Sequence, residues 1–323
     1  MPHKGIFTQS ACIFLEAGVS LDQLASCLAP FTVSGRHQGA GSWTSGGPTL
    51  TLDYRPEVNG KVVVDAVARP WPDAMGDPDV ESEVFAAWAT GHFGPYAFPG
   101  GLERAMEQSW TWREAAAVVA RHRAVVRVRS SYVLGAEESA RPLPEAYDAL
   151  SEIAFVSDVA AKLLALPGAL CYFNPNGETL QSRDDFTEAL AEAAKHGLPP
   201  LDLWANVRLF NLSDEVCLMD TVGMGQLDTP DHEACFRADA FDPDDVDLFL
   251  RNISLYVLDN GDHVKDGDTV DGPGEVSWRA LRLEEGLGAP PRAALRWSPE
   301  NGDELPLQVV AELERERDQE LEH

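Results

Sequence analysis

Residues 241–271, FDPDDVDLFLRNISLYVLDNGDHVKDGDTVD, constrain the fold most, because they state where a helix begins, which face it buries and where it stops. Asp242 suits the N-cap and Pro243 the first helical position, while Asp244 and Asp245 sit where the helix dipole favours negative charge. Val246, Phe249, Leu250, Ile253 and Val257 recur at helical spacing and predict a buried face. Asn260-Gly261 supplies the stop. Segments 203–210, 214–221 and 231–238 precede this helix and have strand character, the first two reading as a hairpin. Segments 276–283 and 292–297 follow it with the same character. The helix is therefore expected to cover a small sheet.

The first half mixes elements in the same way. A strand at 11–17 precedes a helix that Ser20 caps and Pro30 ends, with Leu21, Leu24, Ala25 and Leu28 along it. The glycine-rich run 35–47 reads as a loop. Alternation at 49–54, Asn59-Gly60 and the run 61–68 read as a hairpin. Helices are predicted at 81–89 and from 101, around an aromatic turn GHFGPYAFPGG at 91–101 that is either core or a contact loop. A strand over 122–134 puts Val126, Val128 and Tyr132 on one side and Arg127 and Arg129 on the other. A helix over 145–165, a strand at 169–173 and a helix capped by Ser182 follow, the last burying Phe186, Ala189, Leu190 and Ala193 and stopping at Gly197.

Hairpin-joined strands among helices predict α+β, with mixed or antiparallel sheets and packed helices, not a doubly wound parallel sheet. The order strand, helix, strand, strand, helix, strand roughly recurs, which allows two related ferredoxin-like lobes. Their expected extents are 1–135 and 136–310, with an acidic tail at 311–323 whose last residues resemble the start of a vector-encoded histidine tag.

Charge narrows the function. Lys and Arg number 25 against 53 Asp and Glu, a formal charge of -28, which repels phosphate backbones and anionic lipid and attracts a basic protein. No nucleic-acid or membrane partner is expected; oligomeric state is not readable. Five cysteines without a C-x-x-C pair read as reduced thiols, and with no secretory signal the expected location is the cytoplasm.

No complete catalytic signature is present. G-x-x-x-x-G-K-[ST], G-x-S-x-G and H-E-x-x-H are absent, and Gly223-Met224-Gly225 holds only the first two glycines of a dinucleotide fingerprint. The densest set of acids and ligands is Asp262, His263, Asp266, Asp268, Thr269 and Asp271. Counted as an EF-hand from Asp266, only Asp268 fits, and Val270, Asp271 and Ser277 fail. A looser divalent-metal site from Asp266, Asp268 and Asp271 competes with a turn whose side chains cap their own backbone. No other cofactor is implied. His263 beside Asp262 is a candidate general base or simply an exposed loop histidine.

Several stretches resemble the bacterial family catalogued as domain of unknown function four-two-six-one. They are HRAVVRV at 122–128, LWANVR at 203–208, DTVGM at 220–224 and, most specifically, YVLDNG at 256–261 with KDGDTV at 265–270. The likeness covers roughly residues 70–297 and brings no established activity. It implies a soluble bacterial protein from toxin–immunity or secretion gene neighbourhoods. Candidate binding residues are Trp204, Asn260, His263, Asp266, Asp268 and Thr269. The expected function is a non-enzymatic immunity or adaptor protein that binds a basic toxin or effector. The alternative is a metal-assisted hydrolase or small-ligand module centred on 262–271.

Overall fold

In the computed structural model, which describes residues 4–137 and 139–300, the chain divides after Trp204 into two units. The expected tail at 311–323 lies outside the described residues.

The first unit contains β1 (Gln9–Leu15), α1 (Leu21–Cys27), β2 (Val33–Ser42), β3 (Gly46–Arg55), β4 (Gly60–Val67), α2 (Ser82–Ala89), α3 (Gly101–Glu107), α4 (Ala115–Val119), β5 (Ala124–Ser131), α5 (Ala149–Leu163), β6 (Ala169–Asn174), β7 (Thr179–Gln181), α6 (Arg183–His196) and α7 (Leu201–Trp204). Its strands form one antiparallel sheet in the order β2-β3-β4-β5-β1-β6-β7. Within it β4, β5, β1 and β6 follow the ferredoxin-like order, with α5 carrying the chain from β5 to β6 and β2 and β3 inserted ahead of β4.

Local chemistry sets these elements. Ser20 completes a capping box with Gln23, and Ser182 accepts from the Asp185 amide, each cap contributing about 1 kcal/mol. Asn59 turns the chain into β4 through a left-handed conformation (φ 58°). α5 packs against β1 and β5. Cys12 and Phe14 of β1 join Trp43, Trp71, Trp88, Phe93 and Phe173 in an aromatic core that also takes in Ala87 of α2, Leu102 and Ala105 of α3 and Val119 of α4. Trp71, Trp88 and Phe93 meet edge-on or tilted, the favoured ring geometries. Phe93 of the aromatic turn is thus core, while Tyr96 and Phe98 are half-buried.

Two expectations change. The run 35–47 is not a loop: most of it is β2 and its turn into β3. Its glycines allow close backbone approach, since a Cβ on Gly39 would lie 2.4 Å from the Gly46 carbonyl oxygen and one on Gly47 2.3 Å from that of Ala66. The expected boundary at 135/136 falls inside the first unit, whose sheet takes in β6 and β7 through the pairing of β6 with β1. Arg127 and Arg129, on the side of the strand opposite Val126 and Val128, are both buried on Asp65 of β4, at 2.5 and 2.6 Å.

The second unit contains β8 (Asn206–Asn211), β9 (Val216–Val222), β10 (Asp231–Arg237), α8 (Pro243–Asn260), β11 (Thr269–Gly272), β12 (Val276–Leu283) and β13 (Ala294–Pro299). Two three-stranded meanders, β8-β9-β10 and β11-β12-β13, are joined by α8 and meet where β10 and β13 pair in parallel. This is not the ferredoxin-like order, so the two units are not copies of one topology. The span 203–210 begins as α7 and becomes strand only from Asn206. Val246, Phe249, Leu250, Ile253 and Val257 of α8 all pack into a core with Phe236, Trp278 and Trp297. Among the described residues no helix is long and apolar enough to cross a membrane.

Candidate functional site

α8 delivers the chain into the acidic loop. Asp242 accepts the Asp244 amide at the helix start, and Gly261 takes φ 85° at its end. Asp262, His263, Asp266, Asp268, Thr269 and Asp271 are all exposed, yet most of the carboxylates are committed to local structure. Asp262 makes a two-pronged ion pair with Arg282 of β12, whose guanidinium also donates to the Val264 carbonyl at 2.8 Å. Asp266 accepts the Arg282 amide at 2.6 Å and Asp268 the Lys265 amide at 2.8 Å. The Gly267 and Ala280 backbones close the same turn onto β12. Thr269 and Asp271 lie on β11 opposite Arg279 and Ser277.

These residues do not form a ligand set. Among the described residues no three His, Cys, Asp or Glu side chains converge to hold a metal. Asp266 and Asp268 cap backbone amides, which is the turn chemistry that competed with the metal reading. His263 is an exposed loop residue beside Gly261, and its amide donates to the Gly261 carbonyl. Asn260 donates to the Tyr256 carbonyl at 3.0 Å within the last turn of α8. Trp204 belongs to the first unit, fully buried, with its indole N–H donating to Ser157 at 2.9 Å.

Sequence reasoning missed a buried charge network on the sheet face away from α8. Arg208 holds Asp220 from two nitrogens, at 2.9 and 2.7 Å, and Arg292 holds the same carboxylate at 2.5 Å. Arg292 also reaches Asp231 at 3.3 Å, and Arg296 pairs with Glu233 at 2.6 Å. Burial alone would raise Asp220, but the charges of Arg208 and Arg292 and their hydrogen bonds hold it below the usual carboxylate range. Asp231 is different. Burial pushes it up to about 6, and Arg292, the Met224 amide and Thr221 only partly offset that. His232 points to the other face, where burial lowers it to about 3 and its Nδ1 accepts the Trp297 indole N–H.

The segment 284–293 covers this network. Leu287 donates its amide to Glu233 at 2.8 Å, and Arg292 donates to the Gly288 and Pro290 carbonyls. A Cβ on Gly286 would lie 2.4 Å from Glu233 Oε2, and one on Gly288 would lie 1.9 Å from Asp220 Oδ2. The signal for this was Gly286-x-Gly288, together with charges at alternate positions of apolar strands. Both oxygens of Asp220 are engaged and the set is buried, so it serves as an internal clamp.

Several carboxylates remain open to solvent. Asp244, Asp245, Asp259 and Asp271 are exposed, and none is ion-paired with a described cation, whereas Asp247 is held by Arg251 at 2.8 Å. Residues 220–298, from Asp220 through β13, match the model of a family described as a domain of unknown function (DUF4261). No curated protein and no solved structure matches the chain.

Proposed function

We propose that this chain is a non-enzymatic interaction protein that binds a basic protein partner through its acidic surface, in the manner of an immunity or adaptor protein. One observation carries the reading. Among the described residues the buried charges are four arginines against six acids, so burial does nothing to cancel the formal charge of -28. Most of the negative charge of the described residues therefore lies outside the buried set, where it steers a cationic partner and repels polyanions. The free cysteines fit a reducing compartment, and we place the protein in the cytoplasm.

The test is affinity isolation of the full chain from cells that naturally express it, with crosslinking and identification of what is bound. The reading expects a stoichiometric partner with isoelectric point above about 9, the basic range that marks polyanion-binding domains. Recovery of the chain alone, or with a neutral or acidic partner, would overturn it.

A further inference from the structure

The outward face of α8 has a composition that narrows the partner. Leu248 is 56 % exposed and Tyr256 57 % exposed, two of the largest apolar side chains open to solvent among the described residues. They lie eight residues apart on one helix, about 12 Å along its axis. At 100° per residue Leu248, Asn252, Leu255 and Tyr256 fall within one stripe, opposite the buried Val246, Leu250, Ile253 and Val257. Asn252 is exposed and Leu255 half-buried. Asp244 and Asp245 lie at the stripe's N-terminal end and Asp259 at its C-terminal end, all exposed and none paired with a described cation.

A solvated helix face is normally filled with polar side chains, and here, between acidic ends, Leu248 and Tyr256 stand open to solvent on either side of Asn252. We infer that this face of α8 is the docking surface for a basic amphipathic helix of the partner, which lays an apolar ridge on Leu248, Leu255 and Tyr256 and sets Lys or Arg against Asp244, Asp245 and Asp259. The inference rests on the basic-partner reading and adds the site and the partner's shape to it. Helix-on-helix recognition uses anchors at this spacing, and an exposed aromatic such as Tyr256, one turn before Asp259, suits an anchor residue. A partner with a flat cationic surface and no apolar ridge would leave Leu248 and Tyr256 unmatched. Charge complementarity therefore selects the sign of the partner, and the exposed apolar pair selects its periodicity.

The probe is a labelled 18-residue peptide with leucines along one helical face and lysines along both flanks, compared with a scrambled peptide of the same composition. Fluorescence anisotropy is expected to show at least tenfold tighter binding of the amphipathic peptide. Leu248→Ser/Tyr256→Ser should abolish that preference, and Asp244→Asn/Asp245→Asn/Asp259→Asn should weaken binding and flatten its salt dependence. Circular dichroism checks that the variants fold. Hydrogen exchange on the unaltered chain should add protection along 244–259 when peptide is bound, a readout that needs no variant. Equal affinity for the two peptides, an unchanged preference in the serine variant, or protection elsewhere would overturn the α8 site. Those outcomes leave the basic-partner reading standing, because only the isolated partner's own charge can remove it.

Discussion

Substituting Gly288 with alanine gives the sharpest test of the buried clamp. The added Cβ would sit 1.9 Å from Asp220 Oδ2 and 3.0 Å from Arg208 Nη2, whereas ordinary contact begins at 3.4 Å. Relief thus needs a movement of about 1.5 Å, the difference between 1.9 and 3.4 Å. Asp220 cannot supply it cheaply, because Arg208 and Arg292 hold it from both sides in a buried setting. Breaking such a pair costs about 3–5 kcal/mol, and forcing extra volume into a packed site costs about 1–3 kcal/mol. The alternative is for 284–293 to lift, which exposes Leu287 and forfeits its bond to Glu233. Either route predicts a loss of about 2–4 kcal/mol. With a urea slope of about 1–3 kcal/mol/M, the midpoint of the second unit should fall by roughly 1–2 M. In an Asp220→Ala background the same glycine change should cost much less, because the clashing atoms are gone. A midpoint within about 0.3 M of the parent would refute the reasoning, since surface changes stay inside such limits.

Other consequences follow from the same geometry. His232 has its folded pKa lowered to about 3 from an unfolded value near 6.5, so its contribution is full above 6.5 and is lost as pH falls toward 3. His232→Gln, which keeps an acceptor for Trp297, should flatten stability over that window, as read by urea midpoints against pH. Asp231 runs the opposite way: with a folded pKa of about 6, its contribution is full below about 3.9 and is lost as pH rises through 6. Relative to the parent, Asp231→Asn should therefore gain about 2 kcal/mol between pH 4 and pH 7. Asp266→Asn/Asp268→Asn should lower stability by about 1 kcal/mol through weakened amide caps, and calorimetric titration with Mg²⁺, Ca²⁺, Mn²⁺ or Zn²⁺ should give no micromolar binding that the double variant loses.

α8 was legible in the sequence from end to end, because cap, stop and buried stripe are all local signals. Asp242, Gly261 and the five inward residues stand where the sequence puts them. β2 was not, because its glycines serve close backbone contact, and a glycine run reads the same whether it is loose or tight. β11 was hidden for another reason: four residues inside an acidic run carry too little periodicity, and only pairing with β12 makes them a strand. The acidic loop was found as a place, and of the two readings open for it, a metal site and a self-capping turn, Asp266 and Asp268 follow the turn. Asp262 and Asp266 answer to Arg282, up to twenty residues away, through a register that no local pattern encodes. Arg127 and Arg129 show the same limit, since alternation separates two faces of a strand without saying which face meets water. The buried clamp needed Arg208 of β8, Asp220 of β9 and the 284–293 segment with Gly288 and Arg292 to be brought together across three separate stretches. The exposed charge needed only counting.

The central claim is recognition of a basic partner through an acidic surface, and the salt dependence of that complex tests it most directly. With the partner isolated and the pair reconstituted from pure chains, Kd is measured from about 50 to 500 mM salt, a range over which surface electrostatics are progressively screened. The account predicts steady weakening, tenfold or more across the range, driven by a slower association rate. A Kd that does not move with salt would contradict it.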